Sequence, residues 1–470
     1  MDTPIVDFVR RYAQQRTTRM HMPGHKGCGP LGCEALDITE IAGADELYEA
    51  EGIIARSEAN AAQLFGTART YYSTEGSSQC IRAMLHLALQ MQPAGASRPV
   101  LLAARNAHKA LLYAAALLDF DIRWLWPAPD AAGALCTCPV EPEALACALD
   151  GLAAEGRTPF GVYLTSPDYL GFVQDIAGLA AVCHAHGVPL LVDNAHGAYL
   201  HFLKEGSRHP IRLGADLCCD SAHKTLPVLT GGAYLHLGPS VQADEAAVRN
   251  ALALFGSTSP SYLILQSLDA ANARLADDFR EKLALCRWRL GMLCRELDAF
   301  RPGLALPLTG AHREPLKLTL DAAVLGLSGQ QLAQALREQG VECEYADPRY
   351  LVLMPSPESS AEDFARLQKA LHALCAEASS AAPASDSDAA AFAALAEALQ
   401  AQPRPAAIRE AVLAPQEMVP AAEAVGRICA APAVSCPPAV PIVVSGEVIP
   451  AQALPLFARY GIGRVAVVKD

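Results

Sequence analysis

No apolar run in this chain reaches the roughly 18 residues of a membrane span. Nor is there an excess of basic residues. The 37 Lys and Arg stand against 50 Asp and Glu, a net charge of −13, which argues against a nucleic-acid binder. That acidic balance would favour cationic substrates by long-range steering. The opening Met1-Asp2-Thr3-Pro4-Ile5-Val6-Asp7 lacks a charged segment followed by an apolar core. No secretory signal is therefore expected, and a cytoplasmic location is. Internal repeats are absent. So is any Cys-x-x-Cys pair, although the chain holds 15 cysteines. Paired zinc-ligand spacing is thus missing, and the scattered thiols read as reduced core residues of a cytosolic protein.

What is present is length: 470 residues can bury a large core and more than one domain. Residues 1–35 read as an irregular N-terminal arm, because Arg19 to Gly27 is too rich in Gly, Pro and His for a regular element. Residues 36–297 read as a large domain. Within it Ile53 to Phe65, Ser78 to Met91 and Leu179 to His186 have helical periodicity, with Gly187 a C-terminal stop. Val100 to Ala103, Gly161 to Thr165 and Leu190 to Val192 read as buried strands. This alternation predicts an α/β fold, a mostly parallel sheet with helices on both faces, with ligands at the strand C-terminal ends. A long helical segment from Pro260 to Leu297 would lead to a smaller α+β domain over 298–376. Residues 377–390 read as a low-complexity linker, and 391–470 as a C-terminal region ending on the strand-like Arg464 to Val468.

Two strand ends carry the chemistry. One apolar strand ends at Asp193, in Asp193-Asn194-Ala195-His196-Gly197. A second, Leu217-Cys218-Cys219-Asp220, is followed by Ser221-Ala222-His223-Lys224-Thr225. A buried lysine has a lowered pKa and is a better nucleophile. A lysine and an acid at neighbouring strand ends suit pyridoxal 5′-phosphate (PLP): the amine forms a Schiff base, and the acid keeps the pyridine nitrogen protonated. Upstream, Gly76 allows a tight turn, and Ser77 and Ser78 offer hydroxyls and amides at a helix N-terminus, a natural phosphate site. Alone, the same residues are an N-cap. His108 follows the strand Val100 to Ala103 and could stack on the pyridine or merely cap a helix. His184, His186, His196 and His201 make a poor metal set, since positions two apart on a helix face different directions. No metal is expected.

Together these motifs resemble the Orn/Lys/Arg decarboxylases, PLP enzymes of fold type I. His21-Met22-Pro23-Gly24-His25-Lys26-Gly27 matches the family's opening signature, and Asp37-Ile38-Thr39-Glu40-Ile41 follows it. Asp193 to Ala198 and Ser221 to Leu226 match two more, and Ser257-Thr258-Ser259-Pro260 another. In the tail, Glu417-Met418-Val419-Pro420, Glu423 to Arg427, Pro437-Pro438 and Gly446-Glu447 keep the family's order. The resemblance implies that Lys224 holds PLP covalently and Asp193 pairs with its ring nitrogen. His108 would stack on the ring, with Ala195 and His196 alongside. Ser77, Ser78, Ser221 and His223 would bind the phosphate. Ser257 or Thr258 would reach the phosphate of a neighbouring subunit, implying a homodimer or larger assembly whose sites the arm helps to close. Departures occur near the ring. Asn194 replaces a glutamate, Gly231 a glutamine, and Gln79-Cys80 stands where a glycine is usual.

The implied reaction is decarboxylation of lysine, ornithine or arginine to CO2 and a polyamine-type amine, with Lys224 or a group near His223 returning a proton. Asp45, Glu46, Asp168 and Glu344 are candidate acids for a basic substrate side chain. The alternatives are transamination, for which Arg349 would hold a carboxylate, β-elimination, or a PLP-binding protein without activity. The basic stretch Lys204 to Arg212 reads as a solvated loop.

Overall fold

The computed structural model describes residues 1–92, 98–127, 137–377, 387–402, 404–434 and 440–469. Most of the expected linker and the Pro437-Pro438 motif lie outside them. The chain forms two compact units that alternate along the sequence. Unit 1 comprises Met1–Ala94, Phe160–Ser166 and Ile176–Glu281, and unit 2 comprises Gly95–Pro159, Pro167–Asp175 and Lys282–Asp470. The strands β1 to β7 run Arg69–Ser73, Val100–Ala104, Asp121–Leu125, Val162–Thr165, Leu190–Asp193, Leu217–Asp220 and Ala233–Leu237.

Five of these belong to unit 1, in the order β1-β7-β6-β5-β4. β4, β5 and β6 are parallel, while β7 is antiparallel to both β6 and β1. β4, β5, β6 and β7 are buried along nearly their whole length, which explains their continuous apolar runs. The helix Ile53–Phe65 has the expected bounds, and its C-terminus is closed by Gly66 in the left-handed region. Asp45 supplies its N-terminal acceptor: the carboxylate takes the N–H groups of Gly52 (2.8 Å) and Ile54 (3.0 Å).

Two sequence expectations need correction. The arm is not irregular throughout, because Pro4–Gln14 is a helix. It buries Ile5, Val6 and Val9, and Asp269 Oδ2 accepts the N–H groups of Ile5 and Val6, both at 2.9 Å. The capping acid lies some 260 residues from the helix it caps, so no local signal marks it. The long segment after Pro260 is two helices, Tyr262–Ala276 and Phe279–Phe300. The break is at Asp277, which leaves helical geometry (φ −102°, ψ −103°).

In unit 2, β2 and β3 pair in parallel. Arg105 follows β2 and is fully buried. Its guanidinium meets both oxygens of Glu447, at 2.7 and 2.9 Å, and lies over the rings of Trp124 and Trp126. Glu447 also accepts the Val444 N–H at 2.9 Å. Strands β8 (Leu318–Asp321), β9 (Tyr345–Ala346) and β10 (Tyr350–Leu353) form an antiparallel sheet. Gln416–Pro420 pairs with the expected last strand, Arg464–Val468. No helix among the described residues is long and apolar enough to cross a membrane.

Candidate active site

β5 ends on Asp193, which is 3 % exposed. Its Oδ2 accepts the Tyr163 hydroxyl at 3.0 Å and its Oδ1 the Ala195 N–H at 3.1 Å, and the Cys219 thiol lies 3.7 Å from Oδ1. Burial, with the carboxylate beside it, pushes the Tyr163 phenol well above its usual range, so the phenol keeps its hydrogen and donates it. One strand over, β6 ends on Asp220, and the single helical turn Ala222–Thr225 begins after Ser221. The Lys224 amine lies 3.0 Å from His196 Nε2, three residues beyond Asp193. The register pairs Asp193 with Cys219. Lys224 and the acid therefore stand at adjacent strand ends, as the sequence predicts.

The hydroxyls meet at the same end of the sheet. Ser221 Oγ donates to Ser77 Oγ at 2.7 Å, both side chains being buried. Ser77 opens the helix Gly76–Met91, whose first residue has φ +71°. Amides at the start of a helix suit a phosphate. Ser78, beside it, is half-buried. His223 Nδ1 is 3.0 Å from the Gly232 carbonyl, which can only accept, so Nδ1 carries a hydrogen there. The buried Thr225 Oγ1 has no hydrogen-bond partner among the described residues. A lysine amine, a buried carboxylate, hydroxyls at a helix N-terminus and an open buried hydroxyl are a donor set that fits PLP. Ala195 is buried beside the acid, while Thr258 is exposed on the loop after the helix Glu245–Ala253.

The departures have structural reasons. Asn194 Nδ2 donates to Asp220 Oδ1 at 2.6 Å. Asp220 Oδ2 accepts from Nε2 of His209 (3.0 Å) and of His236 (3.1 Å), and all four residues are fully buried. Burial alone would push Asp220 up, but the two imidazoles outweigh it and hold the acid well below the usual carboxylate range. A glutamate at 194 would set a second carboxylate against it. Gly231 has φ +99°, a Cβ there would lie 2.8 Å from the Thr74 carbonyl, and its own carbonyl accepts the Gly76 N–H at 2.7 Å. Gln79 takes the Ser73 hydroxyl at 2.5 Å and donates to Tyr48 (2.7 Å) and the Leu252 carbonyl (2.8 Å).

Other candidates are committed elsewhere. The Asp45 carboxylate caps a helix, and Glu46 is exposed. In unit 2, His108 is the N-cap of the helix Lys109–Leu118, its Nδ1 accepting the Ala110 N–H at 3.2 Å, so the capping reading describes it there. Asp168 Oδ1 accepts the Leu170 and Phe172 N–H groups, and burial pushes the acid up to about 6. Glu344 accepts the Tyr169 hydroxyl, and Arg349 is held by Asp321 through Nε and Nη2 at 3.0 and 2.8 Å. The four histidines considered for a metal diverge: His184 meets Asp216, His186 the Val182 carbonyl, His201 Ser207, and His196 Lys224. Sequence reasoning missed the Asp220 cluster. The basic stretch Lys204 to Arg212 is not simply a solvated loop, since His209, Pro210 and Ile211 are buried. Tyr163, a tyrosine inside a buried strand that must bond its hydroxyl, was the one signal that could have been read.

Family models match in two places. The Orn/Lys/Arg decarboxylase major domain covers residues 3–287, and the C-terminal domain of the same family covers 386–460. The uncharacterized protein YaaO of Bacillus subtilis is 32 % identical over 373 residues, 75 % of this chain and 74 % of that protein. The arginine decarboxylase of the same organism is 29 % identical over 470 residues, covering 95 % and 91 %. Among solved structures, the constitutive lysine decarboxylase of Escherichia coli superposes with a TM-score of 0.78 at 19 % identity, over 100 % of this chain and 82 % of the other. The fold is thus that of the type I PLP decarboxylases, and the chain belongs to the Orn/Lys/Arg decarboxylase family of PLP-dependent amino-acid lyases.

Proposed function

We propose that the chain decarboxylates a basic amino acid at the β5–β6 strand ends, with arginine the first substrate to test. The observation that carries the reading is the Lys224 amine 3.0 Å from His196, beside the buried Asp193. Arginine comes first because an arginine decarboxylase matches over 95 % of this chain. When bound, PLP supplies an electron sink for the pair left by the departing carboxylate.

The chain's residues then have definite tasks. Lys224 tethers the cofactor, and His196 Nε2 gives the ammonium proton somewhere to go before the amine acts as a nucleophile. Asp193 holds a proton on the ring nitrogen. Ser77, Ser78 and Ser221, with the first turn of the helix Gly76–Met91, bind the phosphate. His223 keeps Nε2 free to exchange a proton, because Nδ1 is committed to Gly232. On the family's motifs, His108 would face the ring while its Nδ1 caps the helix Lys109–Leu118, Ala195 would pack near the other face, and Thr258 would serve the phosphate of a second subunit. These roles follow from the family's motifs on the matching positions of this chain.

The test is CO2 release by PLP-loaded protein with arginine, lysine and ornithine in turn, using Lys224→Ala as the blank. Arginine-dependent release that vanishes in the blank is expected. No release from any of the three would overturn the assignment.

A further inference from the structure

Tyr163 is the second residue of β4 and is wholly buried. Its neighbour across the parallel pair is Leu191, two residues before Asp193. Residues two apart on a strand share a face, so phenol and carboxylate project from the same side of the sheet. The hydroxyl closes on Asp193 Oδ2 at 3.0 Å. A phenylalanine would fill the same volume, and a buried hydroxyl without an acceptor would be costly. The phenol oxygen also takes a hydrogen bond from Thr165, while its own hydrogen goes to the acid. The phenol complements the Ala195 N–H on Oδ1, and the two donors together fix the plane of the carboxylate.

We propose that Tyr163 is a positioning residue: it holds the Asp193 carboxylate in orientation, and so sets how firmly the PLP ring nitrogen holds its proton. This deepens the site reading above and rests on Asp193 being the partner of that nitrogen. A carboxylate buried to this degree is held in place by the hydrogen bonds that replace its lost hydration. Removing the phenol leaves Oδ2 without its donor, with only the Ala195 N–H and the weak Cys219 thiol on Oδ1. Asp193 is then freer to turn away from the orientation that meets the ring nitrogen, and a misaligned acid holds the ring weakly.

The experiment compares PLP-loaded wild type, Tyr163→Phe and Asp193→Asn. Three quantities are read: PLP dissociation, the pH midpoint of the visible band, and kcat against KM. A hydrogen bond to a charged group is worth about tenfold or more, so Tyr163→Phe should weaken PLP binding about tenfold and lower kcat by about as much, with KM nearly unchanged. Its pH midpoint should move in the same direction as that of Asp193→Asn, by less. A midpoint that stays at the wild-type value, or moves the other way, overturns the proposal. If Asp193→Asn leaves both PLP binding and the midpoint unchanged, the site reading itself fails and takes the proposal with it. Should Tyr163→Phe not fold, Tyr163→His, which keeps a donor, decides. It must hold PLP within about threefold of wild type; weaker binding in a folded variant overturns the proposal.

Discussion

At the scale of the residue, the altered positions beside the site form a set. Asn194 is tied to Asp220, which is tied to His209 and His236, and His236 Nδ1 lies 2.8 Å from Thr70 Oγ1. Strand alternation puts Cys218 and Asp220 on the opposite face from Cys219, whose thiol turns to Asp193. The set therefore sits behind the catalytic face. Restoring the family residue should do harm. Asn194→Glu is expected to cost about 3–5 kcal/mol, the scale of an uncompensated buried charge, and to lower the thermal midpoint. Asp220→Asn in the same chain should recover at least half of that loss, because the two positions couple directly. Equal losses in the single and double variants would refute the coupling. Lys224, Asp193 and Ser77 were legible from the sequence because each lies in a short motif at an element's end. The Asp220 set was not, because its members come from five separate stretches of the chain that only the fold brings together.

Elements were legible where they carry their own signal. The helix Ile53–Phe65 has apolar periodicity and a glycine stop, and the parallel strands are uninterrupted apolar runs. The helix Pro4–Gln14 was not, since its cap is Asp269, in a distant helix. That acid also receives the Ser57 hydroxyl at 2.5 Å. Asp269→Ala should release the N-terminal helix, at a cost of about 1–2 kcal/mol typical of a lost cap. Hydrogen exchange over residues 4–14 should rise selectively, and unchanged protection there would refute the role. The pH dependence has a definite sign. Burial pushes Asp269 up to about 6, above its unfolded value, so its contribution to stability is full below about pH 4 and is lost as pH rises through about 6. Unfolding midpoints for wild type and Asp269→Asn should differ in slope across that window and run parallel above it.

At the scale of the molecule, unit 2 is locked by its last segment. Arg105 and Glu447 are both buried, bound through two hydrogen bonds, with Trp124 and Trp126 against the guanidinium. Removing one partner leaves the other charge buried, so Glu447→Gln should destabilise the protein by about 3–5 kcal/mol, and Arg105→Met with Glu447→Leu by clearly less. Chemical denaturation of the three proteins would check the order. The same pair bears on how the protein is made. Its two halves lie 342 residues apart in the chain. During synthesis, β2 and β3 leave the ribosome long before the acid that neutralises the arginine beside them. A ribosome stalled anywhere before residue 447 would thus carry a unit whose interior holds an unmatched positive charge. Unit 2 is consequently a late folder, completed only when nearly all of the chain has been translated.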